Sequence, residues 1–174
     1  IYNANGIYYY NPNGSLMSCY SGNLSGDTVM AKIVSYLKGN NPAGFVLSDN
    51  GIAGILANFQ MESGFNPFRL GLDSWVDSED DPEHGYGIAQ FTPKKQILQP
   101  LRTDPRTANY FNTYYDFKYT SFDRETGFPD EPVPMAVIDA WLAVQLDYFF
   151  GSSSEFETTP VGRYRNMGGI MGLD

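Results

Sequence analysis

The sequence predicts an α+β domain that is mainly α, with a small β-hairpin element and a buried central helix. Three observations carry this reading. Apolar residues recur at helical spacing over residues 27–38 and 48–64. Residues 134–150 are apolar nearly all round, the pattern of a helix enclosed by its neighbours. Between these helices, Gly85-Tyr86-Gly87-Ile88-Ala89-Gln90-Phe91-Thr92 reads as a tight strand or hairpin with room for close backbone approach.

Taken in order, Ile1 to Ala4 and Ile7 to Tyr10 flank Asn5-Gly6, a strong two-residue hairpin signal. Asn11-Pro12-Asn13-Gly14 is a second turn. Residues 1–24 thus form an N-terminal hairpin and linker, readable also as the end of an upstream region, and residues 25–174 the main domain. Asp27 can cap the first helix, Val29, Ile33, Tyr36 and Leu37 share one face, and Gly39 stops it. The second helix starts at Ser48 or Asp49 and ends at Gly64, with Ile52, Ile55, Leu56 and Phe59 as its apolar stripe. Gly51, Ala53, Gly54 and Ala57 are expected to let neighbours pack closely against it. Glu62 projects about 20° from Ile55, at the border of that stripe and in the last turn. Residues 65–84 are an acidic connection, and a short helix over Lys94–Leu101 follows Pro93. Residues 104–132 are loop-rich and aromatic. Pro134 suits the first turn of the central helix and Gly151 its end.

The 174 residues are about one domain's worth of chain, and 42% hydrophobic against 18% charged is a folding composition. Eleven Lys+Arg against twenty Asp+Glu gives 11 − 20 = −9. That balance argues against nucleic acid and against anionic membrane surfaces. No apolar run reaches the roughly 18 residues of a membrane span. Cys19 stands alone, so no disulfide forms within the chain and no cysteine cage holds a metal. Aromatic residues reach 16%, a supply suited to stacking on sugar rings, although most of these side chains are expected to pack inside.

A carboxyl at the edge of an apolar face, followed by Ser63-Gly64-Phe65-Asn66-Pro67 and then by the Gly85–Thr92 turn, is what a glycosidase needs. One acid donates to the glycosidic oxygen. Glycines let the sugar approach the backbone, and an amide beside them supplies hydrogen bonds. Met30 to Gly39, Gly51 to Pro67 and Gly85 to Thr92 resemble the phage tail-type lysozyme domain of the lysozyme-like superfamily, which includes peptidoglycan muramidases and lytic transglycosylases. The likeness covers about residues 27–95 and extends through Val144-Gln145-Leu146-Asp147-Tyr148. Phe91 stands where the family usually has Trp, and Ala57 where it usually has Gly.

The resemblance implies a lysozyme-like fold and cleavage of the β-1,4 bond between N-acetylmuramic acid and N-acetylglucosamine. It implies Glu62 as the catalytic acid, with Ser63, Tyr86 and Gln90 lining the sugar cleft. An inverting hydrolase holds a second carboxylate roughly 6.5–9.5 Å away to activate water. Asp81, four residues before Gly85 as in the related goose-type lysozymes, is the first candidate, and Asp73 the next. Solvated acidic loops are nonetheless the usual fate of such charge runs. Without a facing carboxylate, a lytic transglycosylase giving a 1,6-anhydro product becomes the better reading. A third reading is a non-catalytic wall-binding module of a phage tail or surface assembly. No metal or organic cofactor is implied; His84 is the sole histidine and reads as a structural or surface residue. The expected partner is the peptidoglycan glycan strand, with no nucleic acid and no membrane span. The expected setting is extracellular, at the cell wall or on a virion, within a larger polypeptide or tail or secretion assembly.

Overall fold

In a computed structural model, these periodicities become a mainly helical domain with very little strand. Residues 24–39, 46–71, 79–80, 82–115 and 133–150 are described in full, with the backbone of four two-residue strands near the start. The elements run β1 (Tyr2–Asn3), β2 (Gly6–Ile7), β3 (Tyr9–Tyr10), β4 (Leu16–Met17), α1 (Val29–Leu37), α2 (Asp49–Ser63), α3 (Lys95–Thr103), α4 (Phe111–Tyr114) and α5 (Met135–Phe150). β1 pairs antiparallel with β2, Tyr2 opposite Ile7 and Asn3 opposite Gly6, so Gly6 lies in the ladder instead of the turn. β3 pairs with β4, Tyr9 opposite Met17 and Tyr10 opposite Leu16.

The helix signals translate closely, with one change of cap. Thr28, not Asp27, caps α1: its backbone is extended and its Oγ1 accepts from the Ala31 amide at 3.0 Å. A cap must reach the third amide of the helix, and Thr28 is the residue at that spacing. Ser48 caps α2 by accepting from Gly51, and Gly64 ends it in the left-handed conformation at φ 61°. Val29, Ile33, Tyr36 and Leu37 are buried as one face of α1. On α2, Ile52 and Phe59 are buried while Ile55 and Leu56 are only half-buried. Its small residues do not serve packing as expected. Ala53, Gly54 and Ala57 are exposed, and a methyl group added at Gly54 would meet no atom within 4 Å. The hairpin expected at Gly85–Thr92 is likewise absent. Only isolated antiparallel bridges form there, Leu70 with Tyr86 and Tyr86 with Phe91, because left-handed residues at Gly87 and Gln90 coil the segment too tightly for a ladder.

α5 is enclosed as its composition predicts from Trp141 to Tyr148, while Met135 and Ala136 in its first turn are exposed. Trp141, Leu142, Val144 and Leu146 are fully buried, each contributing on the order of 1.5–3 kcal/mol of hydrophobic stabilisation. Its polar residues are paired inside the protein. Asp147 accepts from the Tyr36 hydroxyl at 2.7 Å and meets Arg106 Nη1 at 2.8 Å. Arg106 also forks onto both oxygens of Asp104 at 2.9 and 2.7 Å. Burial opposes the charge on Arg106, but the bonds to Asp104 and Asp147 outweigh it and hold the guanidinium above its ordinary range. Lys32 donates to the Leu24 carbonyl and pairs with Asp139 at 2.8 Å. Through these contacts α5 ties α1, the α3–α4 corner and the residues before α1 into one unit. No helix among the described residues is long and apolar enough to cross a membrane.

Replacing Gly54 with Ala removes backbone freedom from the unfolded chain and meets no clash, so Gly54→Ala raises stability by about 0.5–1 kcal/mol. Urea unfolding of the two proteins, with equal m values, checks it.

Candidate active site

α2 delivers Glu62 to its last turn and then stops abruptly. The apolar stripe passes through Ile52, Phe59 and Ser63, all buried. Glu62 falls beside it and is exposed, a correction to the partly enclosed position the periodicity suggested. The reason is angular: Ser63 lies about 40° from Phe59 on the inner side, and Glu62 about 60° to the other. Gly64 at φ 61° and Phe65 at φ 66° are consecutive left-handed residues, which turn the chain back sharply after the acid. Phe65 is not glycine and spends of order 1 kcal/mol on that conformation, which burial of its ring offsets. Asn66 is buried and its Oδ1 accepts from the Phe68 amide at 2.9 Å, a side chain mimicking a backbone turn.

The segment that follows lies against the Gly85–Phe91 turn. Gly71 N–H donates to Gly85 at 2.9 Å, and Gly87 N–H to Arg69 at 2.8 Å. Gln90 reinforces the contact: its Nε2 donates to the Arg69 and Gly87 carbonyls at 3.1 and 3.0 Å. Gly85 cannot carry a side chain, since a Cβ there would stand 2.5 Å from the Gln90 carbonyl oxygen. The close approach read from the glycines is therefore backbone to backbone within the protein.

α5 supplies the floor of this arrangement. Trp141, Gln145 and Tyr148, at i, i+4 and i+7 on one face, meet Tyr86, Ile88 and Phe91 in turn. The Trp141 indole donates to the Tyr86 hydroxyl at 3.2 Å and is sandwiched between the rings of Phe68 and Phe111, 5.3 and 5.8 Å away. Gln145, fully buried, accepts from the Ile88 amide at 2.7 Å and donates to the Pro67 carbonyl at 2.8 Å. Phe91 sets its edge against Tyr148 at 5.3 Å, and Phe149 bridges to Phe59 of α2 at 5.2 Å.

Of the expected site residues, Glu62 is exposed and Gln90 half-buried. Ser63 and Tyr86 are fully buried and face inward, contrary to the expected wall of a sugar cleft. The Ser63 hydroxyl donates to the Phe59 carbonyl at 3.1 Å. The Tyr86 phenol is pushed well above its usual range by burial. Both support the site from behind. Asp73 and Asp81 lie outside the described residues. Their neighbours Glu79 and Asp80 pair with Arg102 and Lys95 of α3, so this end of the acidic run is fastened to a helix. Among the described residues, no three His, Cys, Asp or Glu side chains gather as a metal would require. Trp141 and Gln145 escaped assignment at the sequence level. The available signal was a glutamine inside a helix expected to be enclosed, where an amide needs partners.

A family model described as phage tail lysozyme matches residues 28–123. No curated protein and no solved structure is similar enough to match.

Gly87 is held at φ 80°, and a Cβ there would stand 2.2 Å from Gln145 Oε1. Gly87→Ala combines backbone strain with a disrupted buried hydrogen bond and lowers stability by roughly 2–4 kcal/mol. A drop in the denaturation midpoint of that size, with Gly54→Ala moving the opposite way, is the expected pair of results.

Proposed function

Because the chain belongs to the phage tail lysozyme family, with a lysozyme-like role on peptidoglycan, we propose that it cleaves the β-1,4 bond between N-acetylmuramic acid and N-acetylglucosamine, with Glu62 as the general acid. The observation that carries this reading is the setting of Glu62: an exposed carboxyl one residue before a buried, tightly turned segment. That segment is hydrogen-bonded to the Gly85–Phe91 turn. The acid is accessible to a polymer, while its backbone is anchored on a rigid frame, as general acid catalysis demands.

In the proposed reaction the Glu62 carboxylic acid gives its proton to the bridging oxygen as the bond to the sugar's anomeric carbon breaks. Positive charge develops on that ring, and the carboxylate left behind lies close enough to stabilise it. Hydrolysis then needs a water activated from the opposite face, the role proposed for Asp81 or, failing it, Asp73. In the alternative, the sugar's own hydroxyl attacks and Glu62 takes back the proton, giving a 1,6-anhydro end as a lytic transglycosylase does. Gln90 is proposed to meet the glycan, with Ser63 and Tyr86 holding the wall behind it. We place this action outside the cell, at the cell wall or on a virion, with residues 25–174 forming the acting domain and residues 1–24 a separate lead-in. A role within a larger tail or secretion assembly belongs to the same proposal.

Wild-type protein is expected to clear a suspension of bacterial walls, and Glu62→Gln to lose at least roughly a hundredfold of that rate while still sedimenting with the walls. Equal, non-lytic sedimentation of both proteins would instead favour a wall-gripping module. Mass spectrometry of the digest separates the two chemistries: reducing ends support hydrolysis and 1,6-anhydro ends support transglycosylation.

A further inference from the structure

We propose that Gln145 is a positioning residue for cleavage, fixing the segment that carries Glu62 against the turn that carries Gln90. This rests on the functional reading above and deepens it. The Gln145 amide has two ends and uses both. Oε1 accepts from Ile88 N–H at 2.7 Å, two residues before Gln90. Nε2 donates to the Pro67 carbonyl at 2.8 Å, five residues after Glu62. One planar group thus spans the two segments from α5, with no water exposure to loosen it. Absence of a side chain at Gly87 brings the turn's backbone directly onto the amide, since a Cβ would stand 2.2 Å from Oε1. On the outer side, Gln90 Nε2 closes the same pair of segments through Arg69 and Gly87. With the inner clamp released, the turn keeps the outer amide, its backbone bonds, the Trp141–Tyr86 hydrogen bond and the packing of Phe91 on Tyr148, but loses the bond that ties Ile88 to α5, and Gln90 is itself half-exposed.

The donor–acceptor logic gives a test that simple loss of packing would not reproduce. A protonated carboxylic acid at position 145 both accepts from Ile88 and donates to Pro67, as the amide does. A carboxylate only accepts, and it opposes the Pro67 carbonyl. Burial keeps such an acid protonated well above the ordinary glutamate range. Gln145→Glu is therefore expected to match wild type in the acid range. Its kcat on soluble, uncrosslinked peptidoglycan strands should then fall at least roughly tenfold relative to wild type towards pH 8, with KM changed less than about threefold. Gln145→Leu is expected to be slow at every pH. Gln99→Glu, on the exposed side of α3, controls for added charge. Circular dichroism and thermal melts at each pH confirm that the variants stay folded at the assay temperature.

A folded Gln145→Leu with wild-type kcat, or a Gln145→Glu whose ratio to wild type is flat with pH, overturns the inference. If wild type binds strands without cutting them, cleavage by this chain is refuted. The affinity for those strands then becomes the readout: a pH-dependent loss in Gln145→Glu alone retains the clamp, and unchanged binding removes it. A wild type that neither binds nor cuts removes both.

Discussion

A helix enclosed on every side has no water to satisfy its polar side chains, so each one that survives there must find a directed partner within the protein. From Trp141 to Tyr148 α5 is such a helix, and the architecture follows from where the polar groups of that stretch reach. Asp147 reaches Tyr36 on α1 and Arg106 at the α3–α4 corner. Gln145 reaches both segments of the candidate site. Trp141 adds an indole that donates to Tyr86 while its faces are filled by Phe68 and Phe111. Hydrophobic burial supplies the bulk of the stabilisation, but it is non-directional. The hydrogen bonds choose which segment docks at which turn of the helix.

This division of labour separates the inside of the site from its outside. The inner layer, comprising Ser63, Tyr86, Trp141 and Gln145, is buried, and each member has an internal partner. The outer layer is sparse: an exposed carboxyl on α2 and a half-buried amide on the turn. The two consecutive left-handed residues after α2 make the separation possible, because they drop the chain from the exposed end of a helix to the buried Asn66 within four residues of Glu62.

Much of this was legible in the residues. The stripe of α1, the Ser48 and Gly64 boundaries of α2 and the enclosed character of α5 all follow from spacing and capping chemistry. Three features were not. The inward turn of Ser63 and Tyr86 depends on which face of each element meets α5, a tertiary fact that no local pattern encodes. The exposure of Glu62 depends on a few tens of degrees around a helix, finer than a hydropathy stripe resolves. The Gly85–Phe91 turn shows alternation enough for a strand, yet the left-handed Gln90 breaks the ladder, and a non-glycine residue does not advertise that conformation. Glycine was informative at positions 85 and 87, and misleading at 54, where the helix face is simply open.

The contact between Gly87 and Gln145 also has a historical side. A chain in which position 145 was shortened first would gain space beside the turn, and a side chain at position 87 would then meet its backbone angle without the Gln145 amide. In the reverse order, a side chain arriving at 87 while the amide is in place meets both obstacles at once. The two positions are therefore not exchangeable in sequence of change: the glutamine guards the glycine. A side chain at position 87 and a glutamine at position 145 compete for one space, so the glycine is the counterpart of the long amide opposite it.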